Sequence, residues 1–327
     1  MADLTTSYMG LELRNPIIVS SSDLTRDEEG IKRCRDNGAA AVVLKSLFEE
    51  QFQVGEDSQA QESAIYPEAL DYLKSGALME YAPQQVFQTI EKAKKQVDIP
   101  LIASINCQTP KLWPRFAQQL ENAGADALEL NIYFLPLDLE TPGENYEKSH
   151  LRILREVKDK VSIPVSVKLA HQFTSVPYVS QRLDRDGCDA LVLFNWFMVP
   201  DIDTETQKTR NIKGQGIFHQ CLKWVALLSG RLGCDLSSSG GVQKADHVVK
   251  QILAGASAVQ VCSLFYQKGL GEIKNLLSGL EEWMKEHKYS SIQDFRGEVS
   301  FRKQQLSFKD MGQAKAYLRA QYLESYL

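Results

Sequence analysis

The sequence predicts a (β/α)8 barrel of the TIM type, an α/β fold with a small N-terminal β-hairpin and a C-terminal helical extension. Three observations predict it: an internal repeat in four copies, apolar strands of a second kind between the copies, and long connections after three of the strands. The repeat is a helix-ending Gly with a small-residue lead into an apolar run. Its copies are Gly38-Ala-Ala-Ala-Val-Val-Leu, Gly124-Ala-Asp-Ala-Leu-Glu-Leu, Gly187-Cys-Asp-Ala-Leu-Val-Leu and Gly255-Ala-Ser-Ala-Val-Gln-Val. Each fits a glycine closing a helix, with a buried parallel strand beginning within a few residues.

In chain order, residues 4–8 and 11–13 read as a hairpin around Met9-Gly10 that caps the barrel floor. Pro16-Ile-Ile-Val-Ser is the first strand. The strands between repeat copies are Ile99-Pro100-Leu-Ile-Ala-Ser-Ile, Ile163-Pro164-Val-Ser-Val-Lys-Leu and, more weakly marked, Cys234-Asp-Leu-Ser-Ser-Ser. Amphipathic helical spacing runs over residues 82–97, 112–122, 149–160 and 243–253. Eight strands alternating with helices imply parallel pairing through right-handed crossovers. The rival, a doubly wound open sheet, usually carries a Gly-rich fingerprint after its first strand, where this chain has Ser20-Ser-Ser-Asp. The connections at 48–81, 133–148 and 196–215 then fall on the C-terminal rim, where barrel active sites lie. The barrel is expected over residues 1–299. Over 300–327, Met311, Ala314, Leu318 and Tyr322 have near-helical spacing and suggest a helix docked on the barrel or a neighbouring subunit.

Composition narrows the function classes. A balance of 37 basic against 42 acidic residues, without long single-sign runs, argues against nucleic acid and anionic membranes as partners. The N-terminus lacks the basic-then-apolar build of a signal peptide, and residues 252–267 are too short and too polar to span a bilayer. Six scattered cysteines without a CxxC pair read as reduced thiols in a cytoplasmic protein.

The rim carries the chemistry. Ser237-Ser-Ser-Gly240-Gly241-Val-Gln-Lys-Ala runs from the seventh strand into a helix, so backbone N–H groups and a helix N-terminus can meet an anion. Val261-Cys262-Ser263 after the eighth strand adds further N–H groups and a hydroxyl. Barrels commonly hold phosphate with these two loops. Lys45 and Lys168 end nonpolar strands at the same mouth, which suggests an anion or an electron-rich ring, while Asn131 and Asn195 close strands four and six with amide donors and acceptors.

Together these residues resemble the class 1 dihydroorotate dehydrogenases, FMN-dependent barrels. The resemblance runs from the hairpin to about Gly297 through Asn15-Pro16, Leu44-Lys45-Ser46, Glu129-Leu130-Asn131, Val167-Lys168-Leu169, Ser239-Gly240-Gly241 and Ile292-Gln293-Asp294-Phe295. It implies FMN contacts from Ser21, Lys45, Ser46, Asn131, Lys168, Gly216, Gly240, Gly241, Cys262 and Ser263, and substrate contacts from Lys45, Asn131 and Asn195. In that family the lysine matching Lys168 lies by the flavin N1/C2 carbonyl region, where a cation stabilises the anionic reduced ring. The resemblance also implies a small-molecule substrate and a homodimer.

The substrate end departs from the family. Its catalytic base is a cysteine in an Asn-Leu-Ser-Cys-Pro-Asn loop, whereas this chain reads Asn131-Ile-Tyr-Phe134-Leu-Pro136. Phe134 at the base position cannot accept a proton. Pro136 and Trp196 replace an Asn and a Ser, and no Asn occurs between Asn37 and Asn106 to supply the family's substrate amides. His171, Tyr133 and Cys107 are the other rim groups with acid–base chemistry; a hydride transfer with solvent handling the proton needs none of them. The short N-terminus argues against the membrane-attached, quinone-using class, and an iron–sulfur electron path would need a partner chain. The expected activity is FMN-dependent oxidation at a CH–CH group, with dihydroorotate turnover weak or absent. Two alternatives are a flavin-free isomerase or lyase binding a phosphorylated substrate, and a non-catalytic protein that holds FMN.

Overall fold

The computed structural model describes residues 2–49, 83–134, 136–195, 199–212 and 216–303. An antiparallel hairpin, β1 (Thr6–Tyr8) and β2 (Leu11–Leu13), precedes β3 (Ile17–Val19), helix α1 (Glu28–Asp36), β4 (Ala41–Val43) and the two-residue β5 (Leu47–Phe48). There follow α2 (Pro83–Ala93), β6 (Leu101–Asn106), α3 (Leu112–Asn122), β7 (Ala127–Asn131), α4 (Gly143–Lys158), β8 (Val165–Ala170), α5 (Val176–Arg185) and β9 (Ala190–Asn195). The chain continues through β10 (Val199–Asp203), β11 (Lys208–Ile212), α6 (Ile217–Leu228), β12 (Asp235–Ser239), α7 (Ala245–Ala254), β13 (Ala258–Val261), α8 (Ser263–Lys268) and α9 (Glu272–Glu286). Strands β3, β4, β6, β7, β8, β9, β12 and β13 pair in parallel, and β13 returns to β3, so the eight-stranded sheet closes on itself. This is the (β/α)8 barrel that the repeat predicts.

The repeat has a physical explanation. Gly38, Gly124, Gly187 and Gly255 stand at φ of 104°, 99°, 87° and 114°, each just past a helix end. The next residue donates to the carbonyl five positions back (Ala39 to Cys34, Ala125 to Leu120, Cys188 to Leu183, Ala256 to Gln251), which ends the helix and aims the chain into a strand. Three of the other four strands enter through proline, whose missing N–H costs nothing there, and the Pro16, Pro100 and Pro164 carbonyls accept from Val259, Val42 and Leu128. A Cβ on Gly124 would meet nothing closer than Lys94 Cγ at 3.7 Å, so Gly124→Ala pays the left-handed backbone cost alone. We expect a loss of about 1–2 kcal/mol in urea denaturation.

Strand parity divides the side chains. Ile17, Val19, Leu128, Leu130, Val165, Val167, Leu191, Leu193, Val259 and Val261 face outward into the main core beneath the helices. Ile18, Ala41, Val43, Ile102, Ala127, Ala190 and Ala258 face inward, with Tyr8, Met9 and Leu13 of the hairpin sealing the floor. Met9 (φ 58°) and Gly10 (φ 74°) both lie in the left-handed region, as a tight two-residue hairpin turn requires. Above this small apolar layer the inward positions turn polar, and the site begins there.

Two sequence expectations are modified, and a third falls outside the described residues. Helix α4 begins at Gly143, because extended Pro142 directly precedes it, rather than at 149. The connection after β9 carries the antiparallel hairpin β10–β11, whose residues Lys208-Thr-Arg-Asn-Ile212 are too polar to show strand alternation. The expected C-terminal helix lies outside the described residues beyond Lys303; up to that point Gly297, Val299 and Phe301 donate to Ile252, Leu253 and Ala226, binding the segment to the ends of α7 and α6.

Candidate functional site

The inward positions at the C-terminal ends of the strands bring Ser20, Lys45, Ser104, Glu129, Asn131, Lys168 and Gln260 toward one mouth. Lys168 on β8 is 7% exposed; its Nζ lies 3.4 Å from Ser20 Oγ and 3.7 Å from Glu129 Oε1 on β7. Ser20 Oγ donates to Gln260 Oε1 at 3.1 Å, and Gln260 Nε2 donates to Glu129 Oε2 at 2.7 Å. Four strands thus contribute to one buried polar ring. Lys45 is 2% exposed and pairs with Asp23 in the turn after β3. Burial pulls the Lys45 pKa below the ordinary lysine value, and the Asp23 carboxylate works against that.

Ser21, Ser46 and Ser104 form a hydroxyl chain: Ser46 N donates to Ser21 Oγ at 2.9 Å, and Ser46 Oγ lies 2.8 Å from Ser104 Oγ. Across the mouth, Asn195 Nδ2 donates to Asn131 Oδ1 at 2.5 Å, so the amides closing β7 and β9 act as a pair. Asn131→Ala is expected to free Asn195 and to weaken binding of any small ligand at this mouth about tenfold, measurable by calorimetry.

At the other end three chain segments converge. Gly216, at φ 74°, leads into α6, and Gly240 and Gly241 follow β12 at φ 125° and 73°. A Cβ on Gly241 would stand 2.7 Å from Phe218 N, so this glycine lies against the first turn of α6. Phe218 stacks on His247 of α7 at 4.1 Å, and Gln243 Nε2 donates to Ser263 Oγ at 3.5 Å, joining the loops after β12 and β13. Cys262 precedes Ser263 at the start of α8; burial raises its thiol pKa, while the Ser22 hydroxyl and the Lys168 charge lower it. Helix starts expose unpaired N–H groups, so this convergence offers amides and positive dipole ends to an anion.

The position expected for a base is occupied differently. The Phe134 ring turns toward α4, 5.4 Å from His150 edge-on and 6.1 Å from Tyr146. His150 is in turn 5.1 Å from Phe173, and these aromatics line a cavity of about 150 Å³ behind the loop. His150 is almost fully buried, its Nδ1 2.7 Å from the Tyr146 carbonyl, and burial lowers its pKa to about 4. Tyr133 is buried, Cys107 is buried after β6, and His171 is exposed on the loop after β8 with its pKa lowered by partial burial. Trp196 lies outside the described residues.

The structure therefore gathers Ser21, Lys45, Ser46, Asn131, Lys168 and Asn195 at the mouth, and Gly216, Gly240, Gly241, Cys262 and Ser263 at the converging loops before α6, α7 and α8. Sequence reasoning missed Ser20, Glu129, Gln260, His150 and Phe218. Glu129 and Gln260 did carry a signal: each is a polar residue inside an apolar strand, two positions past an inward-facing alanine. Among the described residues no group of three or more His, Cys, Asp or Glu side chains is placed to hold a metal, and no helix is long and apolar enough to cross a membrane.

The chain is 27% identical to the catalytic subunit of dihydroorotate dehydrogenase B (NAD(+)) of Thermoplasma acidophilum, over 91% of this chain and 99% of that one. The corresponding subunit of Methanosarcina mazei is 28% identical over 90% and 94%. The chloroplastic dihydropyrimidine dehydrogenase (NADP(+)) of Arabidopsis thaliana is 24% identical over 90% of this chain and 76% of its own length. The family model described as dihydroorotate dehydrogenase matches residues 3–284, nearly the whole barrel. With its closed parallel barrel and polar C-terminal mouth, this chain belongs to the dihydroorotate dehydrogenase family.

Proposed function

We propose that this protein is an FMN-dependent oxidoreductase acting on a CH–CH group of a small, dihydropyrimidine-like substrate other than dihydroorotate. The observation that carries the reading is a buried lysine, Lys168, in the same barrel as a glycine turn in which Gly241 packs too closely on the start of α6 to admit a Cβ. The residues fit the cofactor: Gly240, Gly241 and Ser263 with the start of α6 would hold the phosphate, and Ser21, Ser46, Lys45 and Asn131 would face the ring system. When bound, FMN supplies a ring that accepts a hydride. Lys168 places positive charge where negative charge develops, and Asn131 and Asn195 offer paired amides to orient a substrate.

Phe134 cannot take a proton, and its ring packs on α4 rather than standing in for a base. A donor that yields a hydride while solvent takes the proton suits such a site. A cytoplasmic homodimer and a C-terminal helix docked on the barrel or on a neighbouring subunit belong to the same reading. The test is an anaerobic screen of dihydropyrimidines against the FMN-loaded protein, read as bleaching of the flavin band. Bleaching by a dihydropyrimidine other than dihydroorotate is the expected result. Rapid bleaching by dihydroorotate contradicts the altered substrate end, and bleaching by no donor favours a protein that holds FMN without turning it over.

A further inference from the structure

Glu129 is a carboxylate buried inside the barrel at 1% exposure, on a strand whose other inward side chains are Ala127 and Asn131. A charge there is costly without a partner. Its Oε2 accepts from Gln260 Nε2 at 2.7 Å, and its Oε1 accepts no hydrogen bond among the described residues but lies 3.7 Å from Lys168 Nζ. Gln260 passes the contact on to Ser20, and Ser20 Oγ returns to Lys168 at 3.4 Å. Below the carboxylate, the Tyr8 hydroxyl is completely buried and held protonated, chiefly by burial and then by the Glu129 charge. Lys168 is therefore held from two sides, by the Ser20 hydroxyl and by the Glu129 carboxylate with which it forms an ion pair.

We propose that Glu129 is a positioning residue for Lys168. Through direct charge contact and the Gln260–Ser20 relay, it fixes the ammonium at the mouth and sets how much positive charge the site presents to a reduced, anionic ring. This inference rests on the FMN reading. Glu129→Gln keeps the shape: its one amide oxygen can still accept from Lys168, and Gln260 can turn its own amide so that its oxygen accepts from the new Nε2, so the change removes the charge while leaving the lysine a partner.

The experiment measures the midpoint potential of bound against free FMN, which gives the ratio of affinities for reduced and oxidised flavin. Glu129→Gln is expected to raise that ratio at least about tenfold and Lys168→Met to lower it by a similar factor. A ratio in Glu129→Gln that is unchanged or lowered overturns the proposal. A second measurement needs no flavin. In urea denaturation of the FMN-free protein, Lys168→Met should lower the folding equilibrium constant at least about a hundredfold, because it leaves Glu129 buried and unpaired. Adding Glu129→Gln in that background should restore at least about tenfold; no recovery overturns the pairing. A wild-type protein that takes up no FMN overturns the flavin reading instead, and the denaturation cycle alone then decides whether Glu129 holds Lys168.

Discussion

Gly241→Ala is expected to give a folded barrel whose affinity for FMN is at least about a hundredfold lower, a loss of roughly 3 kcal/mol. The new Cβ would stand 2.7 Å from Phe218 N, 2.8 Å from Phe218 Cβ and 3.0 Å from Phe218 Cα, and two of those three atoms are backbone. A flexible side chain could swing aside, but the first turn of α6 cannot. Phe218 is also stacked on His247 of the next helix, so any shift is carried to both helix starts beside the proposed phosphate. The φ of 73° adds backbone strain of its own. Global stability should fall by about 1–3 kcal/mol, because the clash falls on Phe218 at the rim edge of the main core. Gly271→Ala is the control: its φ is −56°, and a Cβ there meets nothing within 4 Å. Flavin fluorescence titration of both variants checks the expectation, and equal affinities would remove the glycine cradle from the account.

The second large effect is on stability against pH. His150 has its pKa lowered from 6.5 to about 4 by burial, so the native protein keeps it neutral where the unfolded chain takes up a proton. The stability it contributes is complete above about pH 6.5, falls as pH drops from there toward 4, and changes no further below that. The span is worth about 3 kcal/mol at roughly 1.4 kcal/mol per pH unit. Carboxylates whose pKa is lowered by hydrogen bonds, such as Asp294 and Asp246, lose stability in the same direction, so the comparison is with His150→Gln, which can still donate to the Tyr146 carbonyl but does not titrate. Wild-type stability minus variant stability should decline by about 3 kcal/mol between pH 7.5 and pH 4. A flat difference would mean that His150 is already protonated, or reaches solvent, in the folded protein.

The barrel was legible in the sequence because its punctuation is local. A Gly after each of four helices and a Pro before three of the other four strands are read from single positions, and the structure shows each using its backbone peculiarity. Lys45 and Lys168 were legible as charges ending apolar strands, and both prove buried at one mouth. Their partners were not. Joining Glu129 to Gln260 needs the parity of β7 and β13 and the closure of the ring between them, which no local pattern contains. His150 looked like one more helical residue; only the packing of α4 against the loop after β7 places it beside Phe134. Phe134 was legible as a lost base but not as a ring turned toward α4, because the side chain's direction depends on that packing. The β10–β11 hairpin was hidden because Lys208-Thr-Arg-Asn-Ile212 carries no apolar alternation.

The central claim is that the rim after β12 and β13 holds FMN while the substrate end has changed. Its most direct test is the visible absorption spectrum of the purified protein, followed by FMN titration of any protein that emerges colourless. The account predicts flavin bands retained through desalting, or restored by about one FMN per chain. A colourless protein that cannot be reconstituted, yet binds a phosphorylated metabolite at Gly240 and Gly241, would contradict it.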